Sequence, residues 1–384
     1  MKRFAPLLAA ALATALALPP AAAAFEAGAP EVMVRLRQNY MEGRYWTNGT
    51  PLTATLRNRA GEFKGQCTVT PSTWNQGYGS LPGSWGCNFS YALPAAGSLP
   101  LPKIRPGDTI SIEQGAVTET SPHLGDVAIT EIHSRLDTVS GVTTPAKRTS
   151  FIRVHPNGRP TLTGWVNDPP FERTGKIAGD GSFTLDVSGI GELRRGDYAY
   201  AGYVTGVFRV VTDVRVPNLD IRLGQPNFWF NGQEGAAYTL ELIDRTGQVI
   251  SEMTETRYVK AAAAPAAVGA PPVSQSSRFS FLRPDGRPIP IRTGHTIRVI
   301  GMGGFTLTVP RLQVEFLDTG LAVDTVRNHL FEATGWAPGF GQGGYGETDA
   351  TGHGVLALPF APMQAWARIN FGGNWITTER IKTP

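Results

Sequence analysis

The chain has 384 residues and a formal net charge of +4, with 45 glycines, 30 prolines and only 17% charged residues. Lysine and arginine are scattered rather than clustered with aromatic residues, which excludes a typical nucleic-acid-binding surface. Short runs of valine, threonine, tyrosine and phenylalanine between turn residues favour β-sheet.

The N-terminal segment has the pattern of a secretory signal peptide. Lys2 and Arg3 precede an apolar run over residues 4–18, which is too short to cross a bilayer, and a small-residue cleavage signal ends at Ala24. Removal of residues 1–24 takes away Lys2 and Arg3 but no acid, so the net charge falls from +4 to +2. The mature protein is therefore expected outside the cytoplasm, secreted, periplasmic or on the cell surface, and no later segment predicts a transmembrane anchor.

The two cysteines, Cys67 and Cys87, predict one disulfide in an exported protein. A metal or redox pair would need closer spacing or more ligands. The six histidines are widely separated and none forms an H-x-x-x-H motif, so neither a metal nor another cofactor is expected.

A unit of about ninety residues recurs along the chain. Its clearest marker is a glycine turn before an alternating strand, at Gly107, Gly196 and Gly294, with spacings of 89 and 98 residues. Each unit contains about seven short strands with period-two alternation and no long helix. Because one face of such strands can be buried while the other stays wet, the pattern predicts tandem antiparallel β-sandwich modules of the Ig-like kind.

After the signal peptide at 1–24, the predicted modules span residues 25–133, 134–216, 217–309 and 310–384. The first holds the disulfide loop, the third an Ala/Pro-rich loop at 261–277, and the fourth is shorter. Successive modules are expected to share a continuous strand, as over Val214–Asp220, which predicts stiff junctions.

A β-propeller is the alternative architecture. Its blades need four strands in about 40–50 residues, whereas this unit is nearly twice as long and has about seven strands. Two blades per unit would require eight strands, one more than the unit contains. A structure with a closed ring of blades would show that the propeller is correct.

Aromatic residues are the best candidates for a ligand site. Trp74, Tyr78 and Trp85 lie inside the disulfide loop, where exposed rings would suit stacking on sugars or anchoring a partner. The alternative is a small core that covers the disulfide. A further candidate is Trp229, in the run Phe228-Trp229-Phe230: consecutive residues cannot all face one side of a strand, so at least one ring should be exposed or pack on a neighbouring module.

Two motifs are better explained by the repeat than by chemistry. Arg195–Asp197 matches the integrin tripeptide, but the first module has Pro106–Asp108 at the same place, which favours a structural turn. Glu347, Asp349 and His353 lie in GETDATGHG, which offers oxygen donors without the spacing of an EF-hand loop. The turn at Asp180 aligns with that segment and favours the same structural interpretation.

The recurring turn motifs also suggest a family. They are D-x-x-G, D-G-x-F and the Gly-Asp turn, as in Asp244–Gly247, Asp180–Phe183, Arg194–Asp197 and Asp349–Gly352. In these motifs the modules resemble the exported Ig-like and carboxypeptidase-regulatory-like β-sandwich repeats of bacterial surface proteins. The resemblance implies stalks, adhesive modules or accessory domains, and it transfers no catalytic residue.

The sequence therefore predicts a secreted, non-enzymatic repeat protein with a structural, adhesive or ligand-binding role. A cell-surface protein or a polysaccharide is the expected partner. One alternative is a carbohydrate-binding array that uses Trp74, Trp85 and Trp229, and another is an enzyme with a carboxylate site between modules. No motif indicates the oligomeric state.

Overall fold

A computed structural model of the chain describes residues 28–76, 79–89, 102–144, 149–166, 168–256 and 277–382. Every regular element in these ranges is a β-strand, and the strands form separate sheets that do not close into a propeller. The all-β sandwich prediction is confirmed and the propeller alternative is wrong. None of the described residues forms a helix able to span a membrane. The predicted signal peptide and nearly all of the loop at 261–277 lie outside the described residues.

The first half of the chain forms the following strands: β1 (Glu31–Arg35), β2 (Tyr40–Arg44), β3 (Leu52–Arg57), β4 (Phe63–Val69), β5 (Ser72–Gln76), β6 (Gly79–Asn88), β7 (Thr109–Gln114), β8 (Val117–Thr120), β9 (Val127–His133), β10 (Thr138–Thr143), β11 (Thr149–His155), β12 (Arg159–Thr161), β13 (Gly164–Val166), β14 (Phe171–Lys176), β15 (Ser182–Asp186), β16 (Tyr198–Thr205) and β17 (Phe208–Arg215).

The second half forms the following strands: β18 (Asn218–Arg222), β19 (Asn227–Asn231), β20 (Ala237–Ile243), β21 (Val249–Thr256), β22 (Ser277–Ser280), β23 (Thr296–Gly301), β24 (Phe305–Thr308), β25 (Gln313–Leu317), β26 (Gly320–Asp324), β27 (Leu330–Ala337), β28 (Phe340–Glu347), β29 (His353–Ala357), β30 (Gln364–Phe371) and β31 (Asn374–Ile381).

The strands fall into four sets with one pairing pattern. The sets are β1–β8, β9–β17, β18–β24 and β25–β31, and β5 and the β12–β13 hairpin are additions to the common seven. In each set the first, second and fifth common strands pair in one sheet and the other four pair in a second sheet, as β18, β19 and β22 pair apart from β21, β20, β23 and β24. This division into three and four strands is that of an Ig-like sandwich.

Strand pairing can be compared with the predicted module limits. The limits after residues 216 and 309 fall between sets. The limit after residue 133 does not, because β9 pairs with β10, with Ile132 opposite Val139. By pairing, β9 therefore groups with the second set rather than with the first.

Parallel pairing joins the sets in twos. β17 pairs in parallel with β1, with Phe208 opposite Val32, and β31 pairs in parallel with β18, with Trp375 opposite Asp220. The first join makes an eight-stranded sheet of order β14-β11-β16-β17-β1-β2-β6-β5. The second makes a seven-stranded sheet of order β22-β19-β18-β31-β30-β27-β28. Each join covers two strand edges that would otherwise be open to other chains.

The strand expected over Val214–Asp220 is not continuous. β17 ends at Arg215 in the eight-stranded sheet, and β18 begins at Asn218 in the seven-stranded sheet. Pro217 lies between them and has no backbone N–H to donate to a ladder. The chain therefore changes sheets at this point.

Each large sheet presents an apolar face to the two smaller sheets of its half. Val34, Val210 and Tyr203 lie opposite one another on β1, β17 and β16, and all three are fully buried. Leu56 from the four-stranded sheet and Phe183 from the three-stranded sheet belong to the same apolar cluster. A separate cluster fills the second half of the chain. The other face of each large sheet points away from these cores.

The predicted disulfide is present. It joins Cys67 on β4 to Cys87 on β6, and their Cα atoms are 6.1 Å apart. Because β4 and β6 belong to different sheets, the bond links the two sheets of the first set.

Removing this link should destabilise the first half of the chain. Changing Cys67→Ser and Cys87→Ser together is expected to lower the free energy of unfolding by about 3 kcal/mol, because the open loop gains entropy in the unfolded state. Urea unfolding with and without reductant measures the effect. Reductant should destabilise the native protein and leave the double variant unchanged; equal stability of the two oxidised proteins would contradict this.

Candidate functional site

Four tryptophans lie together on the outer face of the seven-stranded sheet. They are all of the tryptophans after residue 217: Trp229, Trp336, Trp366 and Trp375. Each occupies a strand position between residues that point into the core, as Trp366 does between Ala365 and Ala367, which are at most 1% exposed. Since successive side chains of a strand point to opposite faces, the four rings share one face, and all are half-buried. We call this surface the tryptophan face.

The tryptophans form a diagonal stripe. Trp229 on β19, Asp220 on β18 and Trp375 on β31 lie in one row across three neighbouring strands. Trp366 on β30 and Trp336 on β27 follow in rows further along the strands. At about 4.8 Å between strands and 3.4 Å per residue, the stripe is roughly 30 Å long. It crosses the join between β18 and β31, so the third and fourth sets both contribute to it.

Arginines lie between the rings. The guanidinium of Arg222 is 5.1 Å from the centroid of the Trp229 ring. That of Arg368 is 4.7 Å from Trp375 and 5.5 Å from Trp366. Cation–π contacts contribute about 0.5–1 kcal/mol each at exposed sites. These contacts restrain the orientation of the rings.

The tryptophan face carries charges of both signs. Three arginines and four acids lie on its strands: Arg222, Arg278 and Arg368, and Asp220, Glu332, Glu347 and Glu379. Glu332 accepts a hydrogen bond of 2.8 Å from Nε of Arg368, and Glu379 lies 3.4 Å from Arg222. The formal charges of the face, +3 and −4, therefore leave a small excess of acid.

Asp220 is the polar centre of the Trp229–Trp375 row. Burial raises the pKa of its carboxyl group, while Arg222 and Arg368 act in the opposite direction. Its side chain is half-buried, and within the described residues its carboxylate has neither a hydrogen-bond nor an ion-pair partner. A carboxylate between two aromatic rings can accept hydrogen bonds from a ligand.

On the corresponding face of the eight-stranded sheet, the charged side chains form ion pairs with one another. Glu31 and Glu172 each contact the same three arginines, Arg44, Arg153 and Arg209. The contacts from Arg153 and Arg209 to Glu31 are 2.7 and 2.6 Å long, and Arg209 is 1% exposed. Burial would raise the pKa of Glu172, but the arginines outweigh it and hold that pKa at about 2. We call these five residues the charge network and assign it a structural role.

His155 lies beside the charge network. Its ring is 5.4 Å from that of Tyr200, edge to face, and Nε2 is buried with no hydrogen-bond partner among the described residues. Burial, together with nearby Arg153, lowers the pKa of His155 to about 4, against the opposing effect of Glu42. The imidazole is therefore neutral at pH 7.

The aromatic residues predicted to bind a ligand differ in position and in burial. Trp229 lies on the tryptophan face, between Phe228 and Phe230, which are fully buried. Trp85 is only 7% exposed and packs edge-on against Trp46 with ring centroids 6.2 Å apart. Its expected role in binding a ligand is therefore corrected: the ring belongs to the core.

The remaining two aromatics of the disulfide loop are not placed by the structure. Tyr78 and the side chain of Trp74 lie outside the described residues. Trp85 on its own fits the alternative interpretation of the loop, in which aromatic rings cover the disulfide.

The Arg195–Asp197 tripeptide is a structural turn. Asp197 is 1% exposed, and its two carboxylate oxygens accept backbone hydrogen bonds of 2.7 Å from Asn157 and Arg194. Asp108 accepts the same kind of bond from Arg105 in the first set. A buried aspartate with both oxygens occupied is not available to a receptor.

The GETDATGHG segment is also explained by turn geometry. Asp349 accepts hydrogen bonds from the backbone of Thr351 and His353. Asp180 and Asp244 bond the residues two positions ahead of them in the same way. In the described part of the chain, no three acidic, histidine or cysteine side chains are grouped as metal ligands would be.

Sequence reasoning missed Trp336, Trp366, Trp375 and Asp220. The alternation of inward-facing and outward-facing residues along each strand could have identified them. In Ala365–Ile369 the small and aliphatic residues alternate with Trp366 and Arg368, which therefore face away from the core. What the sequence does not show is that these strands lie side by side with β19.

The charge network should contribute strongly to stability. Glu31→Gln removes one of the carboxylates that neutralise buried Arg153 and Arg209, so we expect the free energy of unfolding to fall by about 3 kcal/mol. The matched control is Glu192→Gln, which breaks an exposed pair with Arg194 and should change stability by at most about 0.5 kcal/mol. Urea unfolding compares them, and equal effects would rule out a stabilising network.

His155 should make stability depend on pH. Its folded pKa of about 4 lies below the unfolded value of about 6.5, so the unfolded chain binds a proton first as the pH falls. Stability is complete above pH 6.5 and should drop by up to about 3 kcal/mol on acidification to pH 4. His155→Phe should remove this component in urea titrations across that range, and the exposed His133→Gln should not. An unchanged slope in His155→Phe would refute the assignment.

Comparisons with known proteins add only weak likenesses. No family model matches the chain, and no curated protein matches it. Similar solved structures include a tetra-tandem repeat in the extending region of a large adhesion protein, with 12% identity over 92% of this chain and 98% of that chain at a TM-score of 0.16. The BSP domain of a biofilm associated protein has 7% identity over 92% and 95% of the chains at 0.18. Native alpha-2-macroglobulin from Escherichia coli, spanning domains MG0-NIE-MG1, has 9% identity over 68% and 98% at 0.16. Such values are too low to assign a function or a module arrangement to this chain.

Proposed function

We propose that the chain is a non-enzymatic extracellular binding protein, and that the tryptophan face attaches it to a surface or polymer outside the cell. The observation that carries the proposal is the collection of four half-buried tryptophans on one sheet face. Clustered aromatic residues at the surface are characteristic of recognition sites.

An extracellular setting has two independent supports. Residues 1–24 have the pattern of a signal peptide. The Cys67–Cys87 bond fits an oxidising compartment, where disulfides form and persist.

The architecture favours attachment through a rigid surface. The stripe depends on β19 of the third set and on β27, β30 and β31 of the fourth, and these strands are fixed by continuous backbone pairing. A face held in this way needs little ordering when it binds, which lowers the entropic cost of attachment. The four modules proposed from the repeat then act as the scaffold of this face.

The proposal is tested by attachment of the labelled full chain to cells and extracellular matrix of the organism that exports it. The double variant Trp229→Ala/Trp366→Ala should bind at least about tenfold more weakly, since each stacked ring contributes about 0.5–1.5 kcal/mol beyond its buried area. The matched control is Phe63→Ala/Val117→Ala, which removes two apolar side chains that are 44% and 51% exposed on the four-stranded sheet of the first set.

The control should attach like the native protein. Equal attachment by both double variants would exclude the tryptophan face as the binding surface. No attachment by the native chain would refute the binding role itself.

A further inference from the structure

The spacing of the Trp229–Asp220–Trp375 row matches a repeating ligand. Trp229 and Trp375 stand two strands apart, which places their backbone positions about 10 Å from each other. A disaccharide unit of an extended β-1,4-linked hexose chain has a similar length. Two flat indole rings at this spacing present stacking surfaces to every second sugar of such a chain.

The polar group between the rings suits hydroxyls. Asp220 lies between Trp229 and Trp375, and a carboxylate accepts hydrogen bonds but donates none when ionised. Sugar hydroxyls are donors that reach such an acceptor while the sugar face stacks on a ring. Without partners among the described residues, Asp220 keeps this capacity for a ligand.

The small excess of acid on the face favours a neutral polymer over a polyanion. A polyanion would meet the carboxylate of Asp220 and would compete with acids already present, because Glu379 lies beside Arg222 and Glu332 is hydrogen-bonded to Arg368. Like charges in contact oppose binding. A neutral polysaccharide meets neither obstacle.

The length of the stripe favours a polymer over a single sugar. Trp366 and Trp336 extend the set of rings beyond Trp375, at an angle to the Trp229–Trp375 row, over roughly 30 Å in all.

We propose that the tryptophan face binds a neutral, extended β-linked polysaccharide, with Trp229 and Trp375 stacking on its sugars and Asp220 accepting hydrogen bonds from its hydroxyls. This inference rests on the proposed function and names the ligand class of the same face.

The experiment is surface plasmon resonance of the full chain on immobilised β-1,4-glucomannan. Dextran is the neutral comparison without an extended β-1,4 chain, and alginate is the polyanion. We expect binding to glucomannan that exceeds binding to either comparison. Trp229→Ala and Asp220→Asn should each weaken it about tenfold, the first by loss of stacking and the second by loss of a charged acceptor.

Phe63→Ala is the control for removal of an exposed ring, and circular dichroism with a urea midpoint for each variant separates lost binding from lost folding. The inference is overturned by stronger binding to alginate or dextran, by absence of binding to glucomannan, or by full binding in folded Trp229→Ala and Asp220→Asn. If glucomannan is not bound while attachment to cells is protease-sensitive and depends on the tryptophans, the partner is a protein and the proposed function survives. If the native chain attaches to neither, both fail.

Discussion

Parallel pairing of β17 with β1 and of β31 with β18 is the constraint on which the rest of the structure depends. An Ig-like sandwich ends in open strand edges, and here the last strand of one set satisfies the edge of the first strand of its neighbour. The pairing joins the four strand sets in two pairs, each with one large sheet and one large apolar cluster. It also produces two broad outer faces that no isolated sandwich of this chain would have.

The two outer faces share a topology but differ in chemistry. On the eight-stranded sheet, Glu31 and Glu172 bind three arginines, so its polar groups are used internally and the face is closed. On the seven-stranded sheet, four half-buried indoles lie among the charged side chains, and Asp220 lies between two rings without a partner among the described residues. A network whose charged groups all pair with one another stabilises the protein. A face with an unpaired hydrogen-bond acceptor can instead bind a ligand.

Particular residues show how far sequence reasoning reached. Alternation in Phe228–Phe230 required the middle ring to point away from its neighbours, and Trp229 does so. The two cysteines gave the disulfide because an exported chain with two thiols has one simple pairing. For Trp85 the sequence left two alternatives open, and burial against Trp46, which is distant in sequence, matches the small core. Trp366 and Trp375 were missed because no repeat motif marks them.

The sequence by itself determined the all-β class, the seven-strand repeat, the turns at Asp197 and Asp349, and the parity of side chains within each strand. These features depend on local φ/ψ preferences, on side-chain-to-backbone hydrogen bonds and on period-two alternation, which act over a few residues. Only the tertiary structure decided which strand edges meet, because such contacts join residues far apart in the chain, as Asp220 and Trp375 show. The tryptophan stripe depends on these long-range contacts, because its rings lie on separate strands and form one surface only when the strands pair.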